Sequence, residues 1–187
     1  MREIHKKKKQ ISTSTMAVVA LMTAVLCVLA PFSIPIGPIP VSLATLGLYL
    51  AVIILGAKKA TVVCLMYLLI GFVGLPVFSG FSGGPAKLLG PTGGYLFGYL
   101  LLTAIAGWFV DKFPGKRGMC AFGLVMGTVA CYAVGTVWLA VQMEIRFGVA
   151  LMVGVVPFVA GDLIKIVIAL WIGNAISGQI KKARFMV

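Results

Sequence analysis

Ala51-Val52-Ile53-Ile54-Leu55-Gly56-Ala57-Lys58-Lys59-Ala60-Thr61-Val62-Val63-Cys64-Leu65-Met66 sets one pair of lysines between two long apolar runs. With its flanks, each run reaches the roughly 20 mostly apolar residues that a membrane-crossing helix needs. The lysines then mark a short connection between two spans. The same pattern repeats along the chain, which is 61% hydrophobic and only 11% charged, far from the roughly 45 to 50% apolar and 25% charged of soluble domains. The expected fold is an all-α integral membrane protein of six transmembrane helices in a single domain over 1–187. The expected spans are about 12–30, 41–57, 60–76, 93–110, 118–142 and 149–180, behind a basic tail over 1–11.

The net charge of +12 would point to nucleic acid in a soluble protein. Here the basic residues fall almost wholly in the tails and gaps, so topology accounts for them and a nucleic-acid partner is not expected. Arg2, Lys6 to Lys9, Lys58, Lys59, Lys112, Lys116, Arg117, Lys181, Lys182 and Arg184 gather on one side of the expected membrane, with only Lys87 and Arg146 on the other. The positive side is the cytoplasmic one, so both termini are expected inside. Lys6 to Lys9 before an apolar stretch imitate a signal peptide, but Ala30-Pro31-Phe32 is a poor cleavage site, and the segment reads as a retained first helix.

Two gaps then face outward. Pro31-Phe32-Ser33-Ile34-Pro35-Ile36-Gly37-Pro38-Ile39-Pro40 has four prolines in ten residues and predicts an extended loop. The stretch from Pro76 to Thr92 is rich in Gly, Ser and Pro yet carries Val77, Phe78, Phe81, Leu88 and Leu89. Such an apolar loop is expected to fold back over the bundle and lid a pocket.

Chemistry concentrates in Pro157-Phe158-Val159-Ala160-Gly161-Asp162-Leu163-Ile164-Lys165. Asp162 and Lys165 share a helical face, and charge inside a span is expensive. A neutralising ion pair is the structural explanation. The functional one is stronger, since two apolar residues would pack better, so Asp162 and Lys165 are the expected ligand-binding pair. In Gly83-Gly84-Pro85-Ala86-Lys87-Leu88-Leu89-Gly90-Pro91-Thr92-Gly93-Gly94-Tyr95, glycines permit close backbone approach, and Pro91-Thr92 looks like a helix start whose free N–H groups suit a polar ligand edge. A tight, tightly packed turn explains the same residues, and Gly94 with Gly98 also forms a helix-seating pair.

Small residues recur every four positions at Ala20 and Ala24, and at Gly123, Gly127, Cys131 and Gly135. Internal packing is the expected use of the second set, whereas the first helix can meet another membrane subunit. Trp138 and Gln142 read either as an interfacial anchor or as a pocket wall. Cys27, Cys64, Cys120 and Cys131 lack metal-ligand spacing and read as packing residues, so no metal is expected. No ATP-binding Gly-x-x-x-x-Gly-Lys-Ser/Thr occurs. Gly80-Phe81-Ser82-Gly83 matches an intramembrane protease motif, but the only histidine, His5, lies in the tail across the membrane, so an enzyme is not expected.

The chain resembles the BioY proteins, biotin-binding S-components of energy-coupling factor (ECF) ABC transporters. The likeness spans nearly the whole chain and rests on Gly74-Leu75-Pro76-Val77-Phe78, on Leu89-Gly90-Pro91-Thr92-Gly93-Gly94-Tyr95-Leu96 and on Gly161-Asp162-x-x-Lys165. It implies a prokaryotic plasma-membrane protein that captures biotin from outside and docks on a transmembrane coupling subunit and cytoplasmic ATPases, with biotin as cargo and no cofactor. It also implies that Ala20 and Ala24 contact the coupling subunit. Asp162, Lys165, Gly83, Gly84, Gly90, Thr92, Gly93, Tyr95, Thr45 and Ser79 are the implied ligand-binding set. Many members have Gln after Pro-Val-Thr-Leu, whereas this chain reads Pro40-Val41-Ser42-Leu43-Ala44, so Ser42 or Thr45 is the expected substitute. An apolar bicycle and tail suit an apolar cavity with few polar groups. Two alternatives remain: an S-component for another vitamin, and a self-sufficient proton-coupled secondary transporter, for which the chain lacks an internal repeat.

Overall fold

The computed structural model describes residues 13–36 and 39–185. The expected tail over 1–11 and Gly37 and Pro38 of the Pro-rich segment lie outside the described residues. The order is α1 (Thr13–Leu29), β1 (Ser33–Ile36), β2 (Ile39–Ser42), α2 (Ala44–Phe72), α3 (Pro85–Leu89), α4 (Gly93–Lys112), α5 (Arg117–Gln142), α6 (Phe147–Gly154) and α7 (Val156–Phe185). Among the described residues, four helical stretches are long and apolar enough to cross a membrane: Ala44–Phe72, Gly93–Lys112, Arg117–Gln142 and Phe147–Gly173, with Thr13–Leu29 shorter.

The Pro-rich segment is more ordered than the expected loop. β1 and β2 pair antiparallel, with Pro35 opposite Pro40. The Leu43 N–H donates to the Phe32 carbonyl at 3.1 Å, which makes that pair a hydrogen-bonded one. By alternation Pro35 and Pro40 fall at a non-bonded pair, where a missing N–H costs the ladder nothing.

The second and third expected spans form one helical stretch of 29 residues, broken at Gly56 (φ 75°, ψ −179°). Only glycine adopts that conformation comfortably. The Ala57 N–H beyond the break donates to Asp111 Oδ2 at 3.0 Å, so a carboxylate from the end of α4 restarts the helix. The helix is therefore interrupted at Gly56, which divides α2 into two arms. The last expected span is also divided, between α6 and α7 at Val155. Pro157 lacks the N–H that would bond one turn back, so the ladder stops and restarts there.

Small residues seat α4 in the centre of the bundle. A Cβ at Gly127 would press on the Leu102 carbonyl, at Gly123 on Phe109, at Gly135 on Tyr95, and at Gly98 on Cys131. The four-residue spacing in α5 is therefore internal packing against α4. Gly107 likewise lies against the Ala57 backbone, where Thr103 Oγ1 donates to Thr61 Oγ1 at 3.3 Å. Outward-facing positions are large and apolar, with Val73 and Trp171 each about four-fifths exposed, as a lipid-facing surface requires.

Residues 73–92 fold back as expected. Phe78 is fully buried, edge-on to Tyr67 at 5.4 Å and over Gly71, where a Cβ would meet its ring. The Gly80 N–H donates to the Pro31 carbonyl at 3.0 Å, and Phe81 stacks edge-on with Phe32 at 5.6 Å. The hairpin and the glycine-rich loop thus cover one end of the bundle together.

Candidate functional site

Asp162 and Lys165 are one turn apart on α7, which turns both side chains inward. Both are almost fully buried, at 4% and 9% exposure. Lys165 Nζ lies 2.9 Å from Asp162 Oδ1, forming an ion pair. The rest of the network comes from elements far away in sequence. Thr45 Oγ1, in the first turn of α2, donates to Asp162 Oδ1 at 2.8 Å, and Tyr132 Oη of α5 donates to Asp162 Oδ2 at 2.5 Å. Lys165 Nζ also donates to the Ser42 carbonyl at the end of β2, at 2.8 Å, and to Thr45 Oγ1 at 3.1 Å.

Each charge therefore has three partners, which is the condition under which a buried ion pair is tolerable. Among the described residues, no buried side-chain N or O is left without a hydrogen bond. All three ammonium donors of Lys165 are engaged, whereas among the described residues Asp162 Oδ2 accepts from the Tyr132 phenol alone. The polar groups line a cavity of about 50 Å³ under the hairpin, walled by Pro40, Ser42, Thr45, Tyr95, Tyr99 and Tyr132 together with the ion pair. On the other side of Tyr132, an apolar groove of about 380 Å³ opens between α5, α6 and α7, with Val129, Phe147, Leu151 and Val159 on its walls. Thr128, Tyr132 and Asp162 belong to both.

Of the polar residues singled out for a site in the sequence, Ser42, Thr45, Tyr95, Asp162 and Lys165 come together at this cavity. Tyr95 Oη donates to the Gly154 carbonyl at 3.0 Å, which fastens α4 beside the break between α6 and α7. Gly83, Gly84, Gly90, Thr92, Gly93 and Ser79 lie in or beside the covering loop and do not line the cavity. They make close contacts within the cover. A Cβ at Gly83 would collide with the Leu75 and Gly74 carbonyls, and one at Gly93 with the Leu88 carbonyl. The Gly84 N–H donates to the Gly71 carbonyl at 2.7 Å, and Ser82 Oγ donates to the Ser79 carbonyl at 2.8 Å. The start of α4 is also engaged, because the Gly93 N–H donates to the Gly90 carbonyl at 2.9 Å and Thr92 accepts from Tyr95 and Leu96.

Trp138 and Gln142 hold the loop. Trp138 Nε1 donates to the Gly90 carbonyl at 3.0 Å, Gln142 Nε2 donates to the Leu89 carbonyl, and Gly94 leaves room for the Trp138 side chain. Both side chains pin the covering loop to the end of α5, a use that neither sequence reading included. Lys87, in that loop, is partly buried, and burial lowers its pKa from the ordinary lysine value. Ala20 and Ala24 are both exposed on α1, away from the core residues Met22, Thr23 and Leu26.

Tyr132 was missed in the sequence, whereas Ser42, expected as a substitute polar contact, reaches the ion pair through its backbone carbonyl. The available signal was general: a tyrosine within an apolar span needs a hydroxyl partner. Nothing in sequence spacing ties Tyr132 to an aspartate on another helix.

The chain is similar to known proteins over most of its length. A "Probable biotin transporter BioY" of Pyrococcus horikoshii is 37% identical over 173 residues, covering 92% of this chain and 99% of that protein. The "Biotin transporter BioY" of Thermotoga maritima is 42% identical over 150 residues, covering 80% and 87%. Among solved structures, the S-component for biotin from an ECF-type ABC transporter superposes with a TM-score of 0.82 at 30% identity, covering 89% of this chain and 94% of that one. The model of the BioY family matches residues 5–182, and the chain belongs to that family.

Proposed function

We infer that this chain is a high-affinity biotin-binding S-component of an ECF-type transporter, a binding subunit and not an enzyme. The observation that carries this reading is the buried Asp162–Lys165–Thr45–Tyr132 network under the hairpin, in a chain of the BioY family. An apolar bundle with one small, fully satisfied polar cluster suits a ligand with an apolar body and a few polar edges. The ureido N–H groups of biotin are donors for Asp162. Lys165 can exchange one of its three acceptors for the ligand carboxylate or stay in the network with Asp162. The glycine-rich loop and the hairpin close the outer end, and Ser79, Gly83, Gly84, Gly90, Thr92 and Gly93 serve the ligand by shaping that cover.

The chain crosses a prokaryotic plasma membrane six times with both termini inside. The two arms of α2 are separate crossings joined at Gly56, next to Lys58 and Lys59. The exposed Ala20 and Ala24 stripe on α1 is the contact for a transmembrane coupling subunit, which links the protein to cytoplasmic ATPases. Equilibrium binding to the purified protein tests the reading. Labelled biotin should saturate one site and resist a hundredfold excess of other vitamins; stronger competition by another vitamin would reassign the ligand.

A further inference from the structure

The cavity beside the ion pair, at about 50 Å³, has room for a few water molecules and not for a bicyclic ligand. Ligand pockets of this kind run to about 300–1,000 Å³. The needed volume lies across Tyr132, in the apolar groove of about 380 Å³. Tyr132 is half-buried, walls both spaces, and is attached to the polar cluster by one hydrogen bond, from Oη to Asp162 Oδ2. Asp162 Oδ1 is held differently, by Thr45 and Lys165, and Lys165 is itself tied to the Ser42 backbone. One carboxylate oxygen is thus locked into the scaffold, and the other is held by a single side chain that stands between the two spaces.

We propose that Tyr132 is a gate and specificity residue: its hydroxyl occupies Asp162 Oδ2 as a stand-in for a ligand N–H, and its displacement joins the polar cavity to the groove. The proposal rests on the reading that the ligand is biotin. A ureido N–H takes the place of the phenol on Oδ2, and the apolar bicycle fills the joined space along α5. A ligand that lacks an N–H at that edge cannot replace the bond it breaks and is rejected, because Oδ2 would be left buried without a donor. Opening also exposes Cys131, which lines the polar cavity and is buried in the closed form.

The test compares the native protein with Tyr132→Phe, which keeps the ring and removes the hydrogen bond. Biotin should associate about tenfold faster with Tyr132→Phe, the equivalent of one hydrogen bond to a charged group, and bind more tightly, because no phenol bond to Asp162 Oδ2 has to be given up. A tenfold loss of affinity, or an unchanged association rate, would overturn the gate. A second measurement needs no ligand: with Cys131 as the sole cysteine, its modification by N-ethylmaleimide should be faster in Tyr132→Phe, and an unchanged rate would overturn the gate. Faster labelling in a protein that binds no biotin would keep the gate and remove biotin as its ligand. Tight biotin binding with unchanged labelling would do the reverse.

Discussion

Lys165 of α7 donates from Nζ to the Ser42 carbonyl at 2.8 Å, so the last helix holds the exit of the hairpin through a residue 123 positions earlier. The same ammonium neutralises Asp162, and any movement of the ion pair therefore reaches the cover of the site. One ammonium group thus both neutralises Asp162 and anchors the hairpin that covers this end of the bundle.

Removing either charge leaves the other buried with fewer partners. Asp162→Asn and Lys165→Ala should each weaken biotin binding by about 1–3 kcal/mol, measured by calorimetry on the purified protein. A double change of both to Leu should keep the bundle stable by thermal unfolding and leave no binding. Recovery of affinity as well as stability in the double variant would make the pair purely structural.

The break in α2 depends on a glycine. Gly56→Ala places a Cβ against the Asp111 carboxylate in a backbone conformation of positive φ, and should cost at least about 1–3 kcal/mol in thermal unfolding. Asp111→Ala removes the acceptor for the Ala57 N–H and should cost about 1 kcal/mol, while Asp111→Asn should retain most of it. Equal stability of all three variants would show that the turn is held by other contacts.

Topology can be read by thiol labelling in a background whose native cysteines are replaced by alanine. An impermeant reagent added outside should modify a cysteine placed at Ser82 and spare one placed at Lys116. The opposite pattern would reverse the orientation drawn from the basic residues.

Docking on the coupling subunit should depend on the exposed stripe of α1. Ala20→Trp or Ala24→Trp should abolish biotin uptake by the assembled transporter and leave binding to the isolated chain unchanged, because bulk there blocks helix approach without touching the cavity. Joint loss of binding and uptake would place this face inside the bundle.

Sequence alone determined that the chain is an apolar helical bundle, that nearly all its basic residues fall in the tails and gaps between apolar runs, and that Asp162 and Lys165 are charges within a span, which among the described residues are buried. These follow from local composition and one-turn spacing, since an apolar run needs lipid and charges three residues apart share a face. It also identified the loop that folds over the end, because Phe78 and Leu88 had to be buried somewhere. Only the tertiary structure decided what the charges touch. Thr45, Tyr132 and the Ser42 carbonyl reach the pair from other elements, at sequence separations of 117, 30 and 123 residues. It also set Gly83 and Gly93 in close backbone contacts, turned the proline-rich segment into a paired hairpin, and gave Trp138 to the covering loop. Those outcomes depend on which helix faces meet, and that is set by packing of the whole bundle and not by the pattern within any one segment.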